Sequence, residues 1–145
     1  CNTKVMCQRL SDDLRRAGIR ADCLHGDIKQ ATREKTMADF RHGKLPVLIA
    51  TDVASRGIDV DDVDGVINYD VPEENEYYIH RIGRTGRARK KGISFTLLGS
   101  FPEKAKLDEI AKFAGFRIVP MIFDEYGCLV PAPAEEKHPT SRRRF

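Results

Sequence analysis

The run Val47-Leu48-Ile49-Ala50 is wholly apolar and stands between Pro46 and Thr51. A short run with no polar alternation suits a strand covered on both faces, as in a parallel sheet flanked by helices. The rest of the chain is patterned to match. Residues 19–24, 63–69 and 93–98 are further strand candidates. Val5, Met6, Leu10, Leu14 and Ala17 recur at steps of three and four, which predicts a helix over 4–17 that Gly18 can end in a left-handed conformation. Asp27 followed by Gln30 has the spacing of a capping box, so a second helix is expected over 28–42, closed by Gly43. Asn75 is the expected cap of a short helix through Ile82. Ser100 and Pro102 open another helix, with Ala105, Ile110, Ala111 and Phe113 expected to face inward and Gly115 to end it. Residues 116–119 could form a last strand. Strands alternating with helices in this way point to an α/β fold, a doubly wound and mostly parallel sheet with helices on both faces.

The length, 145 residues, fits one domain and is enough to bury a core without cross-links. Hydrophobic residues make up 41% and charged residues 32%, which argues against wholesale disorder. No apolar run is long enough to cross a bilayer as a helix, and no membrane partner is expected. Cys1, Cys7, Cys23 and Cys128 have neither zinc-ligand nor C-x-x-C spacing, so free thiols in a reducing, cytoplasmic setting are expected. Beyond Pro120 the periodicity fades. Pro131, Pro133, Pro139 and Arg142-Arg143-Arg144 suggest a Pro-containing basic tail over 120–145.

Net charge is only +3, but its distribution is uneven. Residues 59–76 carry eight acids and no base, whereas 81–91 carry Arg81, Arg84, Arg87, Arg89, Lys90 and Lys91 and no acid. In the basic stretch, Arg81, Arg84 and Arg87 recur every three residues with Gly83 and Gly86 between them. If that stretch is helical, three guanidiniums lie near one face, and the glycines leave room for a bulky anion. Guanidinium is suited to phosphate because its planar fork donates bidentate bonds and stays charged. The alternative is a surface stripe paired with the acidic run. The chain has no G-x-x-x-x-G-K-[ST] cradle of its own. Arginines without a cradle suit a domain that completes a phosphate site held by another.

Ala50-Thr51-Asp52-Val53-Ala54-Ser55-Arg56-Gly57-Ile58-Asp59 and Tyr78-Ile79-His80-Arg81-Ile82-Gly83-Arg84-Thr85-Gly86-Arg87 resemble two hallmark motifs of the DEAD-box RNA helicases. The resemblance extends, in order, to Cys1-Asn2-Thr3-Lys4, His25-Gly26-Asp27, Gln30-x-x-Arg33 and Ile67-Asn68-Tyr69-Asp70-Val71-Pro72. It covers residues 1–98 and implies a C-terminal RecA-like helicase lobe over 1–119 whose first strand precedes Cys1, so that this chain is a fragment of a longer protein. It further implies that Arg84 and Arg87 act as arginine fingers on the γ-phosphate of ATP, with Gly57 and Asp59 also at the nucleotide. His80 would couple the nucleotide and RNA sites. Thr3, Gly26, Arg33, Thr51 and Arg56 would hold the backbone of single-stranded RNA without reading its bases. ATP with Mg2+ would be held mainly by an N-terminal lobe of the same protein, with no metal held by this stretch.

On this reading the intact protein is an ATP-dependent RNA helicase, while the fragment alone is a monomer that hydrolyses nothing. Two other readings stay open: an ATP-independent RNA-binding or annealing module, and a protein-interaction scaffold. The residues also have plainer uses. Thr3 and Thr51 can cap helices, Gly26 and Asp27 can form a turn, Arg33 can be an exposed helix residue, and Asp59 one more solvated acid.

Overall fold

The computed structural model describes residues 1–56, 60, 62–87 and 90–133. Residues Cys1–Ala114 form one compact unit, and a second begins at Gly115. The first unit runs α1 (Lys4–Arg16), β1 (Ala21–Leu24), α2 (Gln30–Arg41), β2 (Val47–Ala50), α3 (Asp52–Ser55), β3 (Gly65–Asn68), α4 (Asn75–Ile82), β4 (Ile93–Thr96) and α5 (Phe101–Ala114). Strands β1 and β2 pair in parallel with Ala21 opposite Val47 and Leu24 opposite Ala50; β3 and β4 pair in parallel from Gly65 opposite Ile93 to Asn68 opposite Thr96. No helix among the described residues is long and apolar enough to cross a membrane.

The period-2 geometry of a strand divides the β1–β2 pair between two cores. Ala21, Cys23, Val47 and Ile49 face α1, where Cys7, Leu10 and Leu14 meet them. Leu24, Leu48 and Ala50 face the other way, against Met37 and Phe40 of α2 and Ala54 of α3. Both faces of β2 are therefore covered, which is why its sequence carries no polar residue. Truncating the fully buried Leu24 to Ala would cost about 2–5 kcal/mol, typical of a leucine whose neighbours cannot close the space. In the second pair, the buried Tyr78 of α4 bonds through its hydroxyl to Thr96 Oγ1 of β4 at 2.9 Å.

The two pairs are not hydrogen-bonded to each other among the described residues. Between them lies a cavity of about 490 Å3, lined mainly by apolar side chains that include Val47, Ile49, Val66 and Ile67. Asn68 borders it with a buried Oδ1 that has no partner.

Several local expectations need correction. The Asp27–Gln30 capping box does not form. Lys29 caps α2 without a side-chain bond, while Asp27 pairs with Lys4 at 3.0 Å and Gln30 bonds Glu34. Glu74, not Asn75, is the cap of α4. In α5 the buried residues are Leu107 and Ile110, whereas Ala105 is exposed and Phe113 is 58% exposed. Residues 116–119 form no strand; the second unit instead holds an antiparallel hairpin of β5 (Met121–Phe123) and β6 (Leu129–Pro131).

Candidate functional site

Because β1 and β2 are parallel and in register, the segments that follow them, His25-Gly26-Asp27 and Thr51–Ser55, emerge side by side. Ligands of open parallel sheets gather at such carboxyl ends. The start of α1 is tied to the same edge, since the Cys1 backbone nitrogen donates to Ala50 O at 2.9 Å and Lys4 pairs with Asp27. Thr3 caps α1, its hydroxyl accepting from the Met6 amide at 3.2 Å. Thr51 is buried and caps α3 in the same way, accepting from Ala54 N at 3.3 Å. Both threonines thus do the capping work that sequence allowed. Gly26 is exposed, with open space where a Cβ would stand.

Arg33 reaches from α2 to donate to Ala54 O at 2.5 Å. Arg84 donates to the next carbonyl, Ser55 O, at 3.3 Å. The short helix α3 therefore receives one guanidinium from each of the two residue sets that sequence assigned to different ligands. Arg56, which ends α3, is exposed; its guanidinium lies 5.0 Å from the centroid of the Tyr77 ring and donates to the Tyr77 hydroxyl at 2.8 Å. His80 is exposed in the last turn of α4. Gly57 and Asp59 lie outside the described residues.

The three-residue arginine period does not form one stripe, because α4 ends at Ile82 and only Arg81 sits within it. Arg84 follows in a turn, with its amide on Arg81 O, and the Arg87 Nε donates to Gly83 O at 2.6 Å. Gly86 is required by the backbone rather than by a ligand. Its φ is +70°, and a Cβ there would stand 3.2 Å from the Gly92 nitrogen.

Arg81 turns away from the other two into a buried knot; the alternative of pairing with the acidic run holds here for Asp70, but not at the surface and with Asp52 as the main partner. The Arg81 Nε and one terminal nitrogen grip both oxygens of Asp52 at 2.7 Å. It also donates to Asp70 O at 2.8 Å, to the Asp70 carboxylate at 3.4 Å and to Asn2 Oδ1 at 2.6 Å. Burial works against the charge, but Asp52 and then Asp70 outweigh it and hold the guanidinium pKa above its ordinary value. The signal lay in the charge pattern, since Asp70 belongs to the acidic run preceding the arginines. Asp62 and Lys90 form a second pair between those runs.

The parallel strands, the flanking helices and the polar edge at the strands' carboxyl ends define a RecA-like α/β lobe. The helicase conserved C-terminal domain family matches residues 1–89. The chain is 50% identical over 121 residues to the ATP-dependent RNA helicase FAL1 of Saccharomyces cerevisiae, an alignment that covers 83% of this chain and 30% of that protein. The solved C-terminal domain of the DEAD-box protein Dbp5 aligns with a TM-score of 0.73 and 38% identity, over 79% of this chain and 67% of that one. A Saccharomyces cerevisiae Dbp5 variant solved with RNA and ADP BeF3 gives a TM-score of 0.74 and 37% identity, over 79% and 31%. This chain belongs to the C-terminal helicase domain family, in its DEAD-box RNA helicase branch. It spans 17–31% of the length of the curated relatives it matches.

Proposed function

We propose that this chain is the RNA-gripping, arginine-donating lobe of an ATP-dependent RNA helicase. Thr3, Gly26, Arg33, Thr51 and Arg56 hold the phosphate backbone of a single strand, independent of base sequence. Arg84 and Arg87 meet the γ-phosphate of ATP held with Mg2+ by a second, N-terminal lobe, and Gly57 and Asp59 complete that nucleotide site. The residues present suit such a group: two guanidiniums in one turn are planar, permanently charged donors for phosphoryl oxygens. When bound, ATP supplies the phosphoryl transfer; the chain's part is to place positive charge where negative charge grows. Lobe closure then bends the held strand so that a short duplex separates, and His80 links the two sites.

The observation that supports this most strongly is the convergence on α3. Arg33 and Arg84 bond the adjacent carbonyls of Ala54 and Ser55, so a residue read as an RNA contact and one read as a nucleotide contact rest on one short helix. The cavity between β2 and β3 supports a further strand preceding Cys1. Two parallel pairs border it, its lining is apolar, and Cys1 already bonds Ala50 O.

The same reading makes the isolated chain a monomer without ATPase activity and places it in a reducing, cytoplasmic compartment. RNA-stimulated ATP hydrolysis, compared between the isolated chain and the intact protein, tests it. Hydrolysis only by the intact protein is expected. Turnover by the isolated chain would refute the division of labour. Tight RNA binding with no hydrolysis by either would favour an annealing module.

A further inference from the structure

Tyr77 and Tyr78 are neighbours in α4 with opposite surroundings. Successive residues of a helix point about 100° apart. Tyr78 is buried, with its hydroxyl on Thr96, while the half-buried Tyr77 meets Arg56 with both its ring and its hydroxyl. Arg56 is exposed and follows a four-residue helix, so its own segment does little to fix a long, flexible side chain. Among the described residues, Tyr77 is the side chain that bonds it. The phenol oxygen accepts one N–H, which leaves the other donors of the guanidinium fork for an oxyanion.

We propose that Tyr77 is a positioning residue for RNA binding, holding the Arg56 guanidinium in the orientation that meets a backbone phosphate. This rests on the reading of Arg56 as an RNA contact. An arginine already seated on a rigid ring loses less freedom when it binds, so Tyr77 tightens the grip without touching the reacting phosphoryl group. Its effect therefore falls on RNA affinity and passes through Arg56.

The test is RNA-stimulated ATP hydrolysis by the intact protein titrated with poly(U), in wild type, Y77A, Y77F, R56A and the Y77A/R56A double variant. Y77A is expected to raise the half-saturating RNA concentration by about three- to tenfold while kcat changes less than about twofold. Y77F keeps the ring, loses the hydroxyl and should fall between wild type and Y77A. The double variant should bind RNA no more weakly than R56A alone.

Additive losses in the double variant, or RNA binding unchanged or tightened by Y77A, would overturn the positioning role and leave Arg56 as an RNA contact. An R56A protein with wild-type half-saturation would instead overturn the reading of Arg56, and this proposal with it. Should Y77A fail to fold, Y77F decides. A raised half-saturation that disappears in the R56A background supports the role, and wild-type behaviour refutes it.

Discussion

Arg81→Met removes the centre of the knot between α4, α3 and the segment after β3, and its cost can be worked from the geometry. The Arg81 side chain is 10% exposed, Asp52 14% and Asp70 21%, so this is not the solvent-screened kind of pair that contributes at most about 1 kcal/mol. Methionine preserves much of the stem's packing but leaves the poorly hydrated Asp52 and Asp70 carboxylates without their guanidinium. Removing one partner of a buried pair costs about 3–5 kcal/mol, and the residual exposure of Asp70 favours the lower end, about 3 kcal/mol. For a chain of this size that corresponds to a melting temperature lower by roughly 9 °C. Arg81→Lys should lose about half as much, since one ammonium cannot reproduce both 2.7 Å bonds to Asp52 and the further donations to Asp70 and Asn2. Adding Asp52→Asn to Arg81→Met should restore part of the loss by removing one orphaned charge. Thermal unfolding followed by circular dichroism measures all three. A loss below about 3 °C for Arg81→Met, with no recovery in the double variant, would refute the reasoning, because it would show the carboxylates to be well solvated without their partner.

Four other outcomes are expected. Gly92→Ala places a Cβ 2.4 Å from the Gly86 nitrogen, so the backbone around the arginine turn must move; a loss of about 2 kcal/mol in urea unfolding, with weakened ATP hydrolysis, is expected. Thr51→Ala should cost about 1 kcal/mol through the lost α3 cap, and Thr51→Ser should restore it in the same assay. Burial pushes the Cys23 thiol up to about 11 and raises Cys7 as well. A thiol held neutral in the folded state adds stability that is fully present below its ordinary pKa and is lost as pH rises towards 11. Urea midpoints should therefore fall between about pH 9 and 11. At pH 8 a thiol reagent should modify the exposed Cys128 first and leave Cys7 and Cys23 unmodified in the native state, as mass spectrometry would show.

How far the sequence could be read depended on whether a feature was local. Strand β2 was legible to the residue because Pro46 stops it on one side and Thr51, the cap of α3, stops it on the other. The four-residue α3 was not, since it is too short to show a period. The Asp27 capping box failed because α2 begins at Gln30 with Lys29 as its cap, so Asp27 stands two residues ahead of the cap position; its carboxylate pairs instead with Lys4, distant in sequence, which holds its pKa below the ordinary value. The inward face of α5 was read correctly at Ile110 but not at Ala105 and Phe113. Its apolar residues fit more than one helical face, and packing alone selected Leu107 and Ile110.

At the site, motif order identified the polar edge, but residue types could not sort the arginines among phosphate, carbonyl and carboxylate. Arg81 and Arg84 carry the same chemistry three residues apart. The end of α4 at Ile82 separates a buried structural cation from one at the edge of α3. Tyr77 carried no signal at all, because its partner lies 21 residues away.

The most direct test of the central claim is single-turnover ATP hydrolysis by the intact protein at saturating RNA, comparing wild type with Arg84→Ala and Arg87→Ala. Guanidiniums that neutralise charge on a transferring γ-phosphoryl group are worth on the order of 10³–10⁵ in rate. Each variant should therefore lose at least about a thousandfold in the chemical step while still binding ATP and RNA. Wild-type rates in both variants would contradict the account.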